Sequence, residues 1–247
     1  MSDVLTMTAR SFRLTRRQLD SLFTALALPV LLMLLFVGLF GGAIRTGTGY
    51  VTYVLPGVLL LCAGFGAAIT AVSVSQDMTG GIIDRFRSMD VRGPAILAGH
   101  VAASIARNIT STILVFGVAC LIGFRPHASL PGWLAAAGLL LAFILAVSWL
   151  AAAYGLAVKT PEAANGFMFL VAFLPYASSA FVPVDTMPGW IQGFARNQPI
   201  TPVTQSLRGL LLGTPVGTAP WAALAWLGGI LAVSLVLSGV LFSRRTT

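Results

Sequence analysis

Charge is what this chain has least of. Only 9% of its 247 residues are Asp, Glu, Lys or Arg, against roughly 25% in an average soluble domain. With 57% hydrophobic residues, no soluble fold of this size has an interior that could hide so much apolar surface. The 15 cations outnumber 7 acids, but they stand between apolar runs and not on one soluble basic face, which argues against nucleic acid as a partner. The two cysteines, Cys62 and Cys120, both fall inside apolar stretches and read as small hydrophobes, not as a disulfide or metal pair. The only histidines, His100 and His127, are expected on opposite sides of a membrane, which excludes a metal or His-based catalytic site within one chain. Also missing are a G-x-x-x-x-G-K-[ST] phosphate loop, an H-E-x-x-H zinc motif, a G-x-S-x-G elbow and a clustered carboxylate pair. No cofactor is expected in this chain.

What is present is a series of long uncharged intervals. Between successive charged residues lie gaps of 24 (after Asp20), 31 (after Arg45), 17 (after Arg107), 33 (after Arg125), 22 (after Glu162) and 35 residues (after Arg208). A helix crossing the hydrocarbon core needs about 20 apolar residues, so each gap holds one span. The spans are expected near 22–40, 53–74, 109–124, 133–157, 164–181 and 221–242, the third starting earlier in the segment with His100 and Arg107. Runs such as Leu31-Leu32-Met33-Leu34-Leu35-Phe36 do not alternate, which favours helices over a barrel. Arg16 and Arg17 precede the first apolar run in the manner of a signal peptide. That run is longer than an h-region of about 7 to 15 residues, so a retained first span is expected.

Lys and Arg favour cytoplasmic segments. Six spans starting inside put eleven cations in the cytoplasm and four opposite, namely Arg45, Arg125, Arg196 and Arg208. Both termini are therefore expected in the cytoplasm, the chain being a multi-pass protein of the plasma (inner) membrane. The span centres hold no ionisable residue on this reading, which speaks against proton-driven carriage.

Three segments are not simple spans. In 1–21, Arg10, Arg13, Arg17 and Asp20 share one helical stripe and Leu5, Phe12 and Leu19 another. That pattern suits an interfacial helix or a solvated basic lead-in. In the long inner loop, around 78–93, Ile82, Phe86 and Met89 recur at i, i+4 and i+7, with Asp84, Arg85, Arg87 and Ser88 opposite. Gly80-Gly81 and Gly93-Pro94 bound this short helix. Its apolar stripe needs cover, from lipid headgroups or from a groove on a cytoplasmic partner. In the outer segment 182–213, Pro183, Pro188, Pro199 and Pro202 forbid one straight helix. Two short helices separated by Asn197-Gln198-Pro199 are expected, dipping into the outer leaflet as re-entrant elements or lying on it as a surface hairpin. The small pairs Gly64/Ala68 and Ala151/Gly155 permit close helix contact.

Two stretches resemble the permeases of type 2 ATP-binding-cassette exporters, in particular those of daunorubicin/doxorubicin resistance in actinobacteria. One is Gly80-Gly81-Ile82-Ile83-Asp84-Arg85-Phe86-Arg87-Ser88-Met89 with Arg92-Gly93-Pro94. The other runs from Ser179-Ala180-Phe181-Val182-Pro183 through Met187-Pro188-Gly189-Trp190 and Asn197-Gln198-Pro199-Ile200-Thr201-Pro202 to Leu207-Arg208-Gly209. The resemblance covers essentially the whole chain and implies an all-α polytopic membrane protein forming a single permease domain, 1–247. It implies a second permease subunit, identical or paralogous, and two cytoplasmic ATP-binding subunits that carry the ATP and Mg. It also implies that Ile82, Asp84, Arg85, Phe86, Arg87 and Met89 form a coupling helix, with Lys159 and Glu162 as a secondary contact. The segment carrying Pro188, Trp190, Asn197, Pro199 and Arg208 would then cap the pathway. An apolar or amphipathic cargo, drug or lipid, follows from the low charge of the spans, with Ser73, Gln76, Asn165 and Ser178 as candidate polar contacts. The rival expectation is a non-transporting scaffold or assembly factor that partners an ATPase.

Overall fold

The computed structural model describes residues 19–41, 49–80 and 93–246. Among them are nine α-helices, one 3-10 turn and no strand. The helices are α1 (Leu19–Phe40), α2 (Tyr50–Thr79), α3 (Gly93–Leu121), α4 (Leu130–Ala157), α5 (Pro161–Ala164), α6 (Gly166–Tyr176), α7 (Gly189–Asn197), α8 (Ile200–Leu212) and α9 (Ala219–Thr246), with the 3-10 turn at Val184–Thr186 before α7. The expected interfacial helix and Ile82, Asp84, Arg85, Phe86, Arg87 and Met89 lie outside the described residues.

Local chemistry sets the helix starts. Ser129 caps α4 by accepting from the Gly132 amide, and Thr160 caps α5 by accepting from Ala163. A proline follows each cap, Pro131 and Pro161, where its fixed φ suits the first turn and its missing N–H is no loss. Gly213 ends α8 with φ 68°, the left-handed closure that glycine adopts without strain.

Among the described residues, four helices are long and apolar enough to cross a bilayer: Tyr50–Thr79, Ala95–Leu121, Leu130–Ala157 and Ala219–Arg244. α1 is 22 residues with an apolar stretch over Val30–Leu39. α2, about 45 Å long at 1.5 Å per residue, is the hub. It is buried along most of its length and packs against α1, α3, α4, α5, α6 and α8. α9 is the opposite case, leaning on α4 and α8 while Trp221, Val233, Val236 and Leu237 stay exposed. Exposed apolar side chains carry no penalty against lipid, so close packing and not hydrophobic burial holds such a bundle together. Gly155 shows how close the packing is, because an added Cβ there would run into the backbone of Ala71 on α2. At the turn between α3 and α4, Phe116 sits edge-on to Phe124 and Trp133, at 5.4 and 5.3 Å between ring centres.

Two expectations are corrected. The interval 164–181 is not one helix. The chain is helical from Pro161 to Tyr176, with Asn165 keeping helical angles between α5 and α6, and it unwinds at Ala177. Sixteen residues rise about 24 Å, short of a full crossing. The cause lies in the residues after Tyr176, whose backbone is captured by side chains from other helices. The second correction concerns Arg107, expected at the inner end of the third span. It sits at the midpoint of α3, so a long helix does carry an ionisable group at its centre. The helix runs through it because α2 supplies hydrogen-bond acceptors at that level.

Candidate functional site

The polar side chains gather at three levels of the bundle. At one end, α2 and α3 finish and start on either side of residues 81–92. His100 donates from Nε2 to Asp77 Oδ2 at 3.0 Å, with both side chains nearly excluded from solvent. A pair placed there ties the end of α2 to the start of α3. The Gly155–Ala71 contact brings the end of α4 to the same end of the bundle as the end of α2. The loop to α5 follows at once, with Lys159 and Glu162 both exposed on it. Tyr154 donates to the Ala163 carbonyl at 3.4 Å and so fastens this loop to α4.

At the middle level, Arg107 Nη2 donates to Thr70 Oγ1 at 2.9 Å and to the Gly66 carbonyl at 3.4 Å. Next to it, Asn108 is fully buried and donates to Ser104 Oγ at 3.4 Å. Ser104 in turn shares a 2.9 Å hydrogen bond with Ser148 of α4. At this level polar contacts therefore join α3 to α2 through Arg107 and to α4 through Ser104, inside an apolar bundle. Polar contacts of this kind fix helix register in lipid, although Asn108 Oδ1 is buried without a hydrogen-bond partner among the described residues.

At the far end lies the unwound stretch after α6. Backbone groups at membrane depth are tolerated outside a helix only where protein satisfies them, and here the donors can be named. Tyr50 donates its hydroxyl to the Phe181 carbonyl and Tyr53 to that of Ser179, each at 3.0 Å. Arg208 of α8 donates to the same Ser179 carbonyl at 3.1 Å, and to the Tyr53 carbonyl through Nη2 at 2.9 Å and Nε at 3.2 Å. Its guanidinium also lies 3.7 Å from the centre of the Tyr53 ring, a cation–π contact. The Ser179 amide is taken by Thr201 Oγ1 at 3.2 Å. Gln198 bridges the two sides, accepting from the Ile200 amide at 3.0 Å and donating to the Leu174 carbonyl at 3.2 Å. Gly57 lets α2 approach this stretch, since a Cβ there would stand 2.6 Å from that of Ala180.

The candidate pathway residues are not brought together. Gln76 and Asn165 are exposed and Ser73 half-buried, all three toward the end that holds Asp77 and the α4–α5 loop. Ser178 is at the other end, fully buried, donating to the Pro175 carbonyl at 2.6 Å and accepting from the Ala180 amide at 3.0 Å. Its hydroxyl is committed to the helix break. Among the capping candidates, α7 ends at Asn197 and α8 begins at Ile200, on either side of Gln198-Pro199. Asn197 closes the end of α7 by donating to the Gly193 carbonyl at 2.8 Å. Pro188 and Trp190 are exposed at the start of α7, Trp190 at 83%.

Sequence reasoning missed Tyr50, Tyr53, Gln198 and Thr201 as partners of the break, and Asp77 with His100 as a pair. No spacing rule links residues on different helices. The one available signal was a tyrosine pair three apart at the start of an otherwise aliphatic span. Among the described residues no group of three or more His, Cys, Asp or Glu could hold a metal, and Cys62 and Cys120 are both free thiols.

The chain is 32% identical over 189 residues to the daunorubicin resistance ABC transporter permease protein DrrB1 of Streptomyces coeruleorubidus, covering 76% of this chain and 67% of the relative. It is 23% identical over its whole length to the probable doxorubicin resistance ABC transporter permease protein DrrC of Mycobacterium tuberculosis, across 90% of that protein. To the doxorubicin resistance ABC transporter permease protein DrrB of the same organism it is 26% identical over 218 residues, covering 85% of this chain and 74% of the relative. The ABC-2 type transporter family model matches residues 2–212, from the N-terminal segment through the last residue of α8, and the chain belongs to that family.

Proposed function

We propose that this chain is the permease subunit of an ATP-driven exporter that moves an apolar or amphipathic compound, drug or lipid, out of the cell. In this reading the chain crosses the membrane six times, through α1, α2, α3, α4, the α5–α6 segment completed by its unwound end, and α9. Both termini face the cytoplasm, and α7 and α8 form the outer re-entrant cap. ATP and Mg are held by two copies of a separate cytoplasmic subunit, and a second permease, identical or paralogous, completes the pathway between two bundles.

One observation carries the reading. The clasped ends of α2 and α3, which flank residues 81–92, lie at the same end of the bundle as the exposed Lys159–Glu162 loop. Residues 81–92 and the Lys159–Glu162 segment, both carried at that end, would give a motor two points of purchase. Closure of the ATP-binding subunits then shifts the permease between two states by as much as their docking favours one over the other. Ile82, Phe86 and Met89 would seat in the ATP-binding subunit, with Asp84, Arg85 and Arg87 at the rim. The names of the relatives support a drug-type cargo.

The test is copurification with the ATP-binding subunit, followed by ATPase and transport assays in vesicles. Phe86→Ala is expected to release the ATP-binding subunit and abolish ATP-dependent export while leaving the folded permease intact. Assembly and export unchanged in that variant would refute the seating. Assembly without any transport would favour the scaffold.

A further inference from the structure

Between α3 and α4 the bundle leaves a cavity of about 440 Å³, with Leu59 of α2 and Leu207 and Leu211 of α8 among the residues lining it. It opens sideways past Ile109, Ile113 and Leu141, all exposed, and so continues the apolar surface of α3 and α4. Ile109 and Phe116, seven residues apart on α3, both line it, giving a groove about 10 Å long. Its lining is almost wholly apolar, the only polar side chains on it being the Trp133 indole and Thr112, whose Oγ1 is buried with no hydrogen-bond partner among the described residues. A water needs two to four polar partners to stay in such a site, and so apolar a lining does not supply them. Nor does the groove offer the several polar contacts that orient an amphipathic cargo.

We infer that this groove binds one phospholipid acyl chain from the leaflet on the α7–α8 side. The chain enters through the lateral mouth and lies as a wedge between α3 and α4. Leu207 and Leu211, which the acyl chain would rest on, share a turn of α8 with Arg208. The inference rests on the bundle being in a bilayer, and not on which cargo it moves.

The full chain, reconstituted in vesicles of phosphatidylethanolamine and phosphatidylglycerol, is irradiated with a phospholipid carrying a diazirine on its acyl chain. Labelled peptides are then mapped by mass spectrometry. Labelling of 109–116 and 133–144 should exceed several-fold that of 233–240 on α9, which faces lipid without a groove. Ala137 lines the cavity and is exposed, so Ala137→Trp fills the groove without entering the core. It should remove the excess while leaving α9 labelling and the melting temperature in lipid-free detergent unchanged. Equal labelling of the groove and α9, or an excess that persists in Ala137→Trp, overturns the inference. So does an excess displaced by an apolar drug but not by unlabelled phospholipid. Copurification of the ATP-binding subunit from the same preparation reports on the exporter reading separately.

Discussion

Arg208 and Arg107 reach the same helix from different neighbours. Arg208, from the short α8, gives two hydrogen bonds to the Tyr53 carbonyl and one to Ser179. Arg107, from the centre of α3, gives one to the Thr70 hydroxyl and a longer one to the Gly66 carbonyl. At the Ser179 end the chain has left its helix, and Arg208 shares with the Tyr53 hydroxyl the task of satisfying its carbonyl. The arginine at the middle level joins two intact helices whose backbones already bond internally. The comparison separates a cation that makes an irregular chain path tolerable from one that sets how two regular helices sit against each other.

If that distinction holds, Arg208→Ala is the most damaging single change. It strips three charge-assisted hydrogen bonds and a cation–π contact from buried groups, a loss of about 3 kcal/mol or more. It should lower the thermal midpoint followed by size-exclusion in detergent, and Arg208→Lys should restore only part, because an ammonium cannot reproduce the forked geometry. Next comes Gly57→Ala, whose Cβ meets Ala180 at 2.6 Å. Overpacking of this kind costs about 1–3 kcal/mol, and the same melt should register it. Arg107→Gln keeps a donor at the seam and should destabilise by about 1 kcal/mol while loosening the coupling between ATP hydrolysis and transport, read as their ratio in vesicles. An Arg107→Gln midpoint as low as that of Arg208→Ala would erase the contrast. The smallest effect belongs to Arg196→Ala, which breaks an ion pair with Asp185 on an exposed surface. Such pairs contribute roughly 0–1 kcal/mol, and the melt should barely move.

The same contrast explains what could be read from the chain alone. Apolar runs between charges located α1, α2, α4 and α9, because a helix in lipid satisfies its own backbone and needs only length and greasiness. Prolines at 188, 199 and 202 marked the short helices α7 and α8, since proline acts on its immediate neighbours. The unwinding after Tyr176 was not legible. Its cause is distributed over Tyr50, Tyr53, Gln198, Thr201 and Arg208, and no spacing in the sequence ties these residues of different helices to the backbone after Tyr176. Arg107 misled in the other direction. Taking charges as span ends places it at a boundary, whereas Thr70 and the Gly66 carbonyl make the middle of α3 habitable for it. Asp77 and His100 became a pair only once α2 and α3 were seen to pack antiparallel.

The central claim is that the α2–α3 end of the bundle faces the cytoplasm and receives an ATP-binding subunit. The direct measurement places a cysteine at Arg87 in a Cys62→Ser, Cys120→Ser background and treats cells with a membrane-impermeant maleimide. The account predicts no labelling in intact cells, labelling in inverted vesicles, and protection there when the ATP-binding subunit is co-expressed. Labelling of intact cells from outside would contradict it.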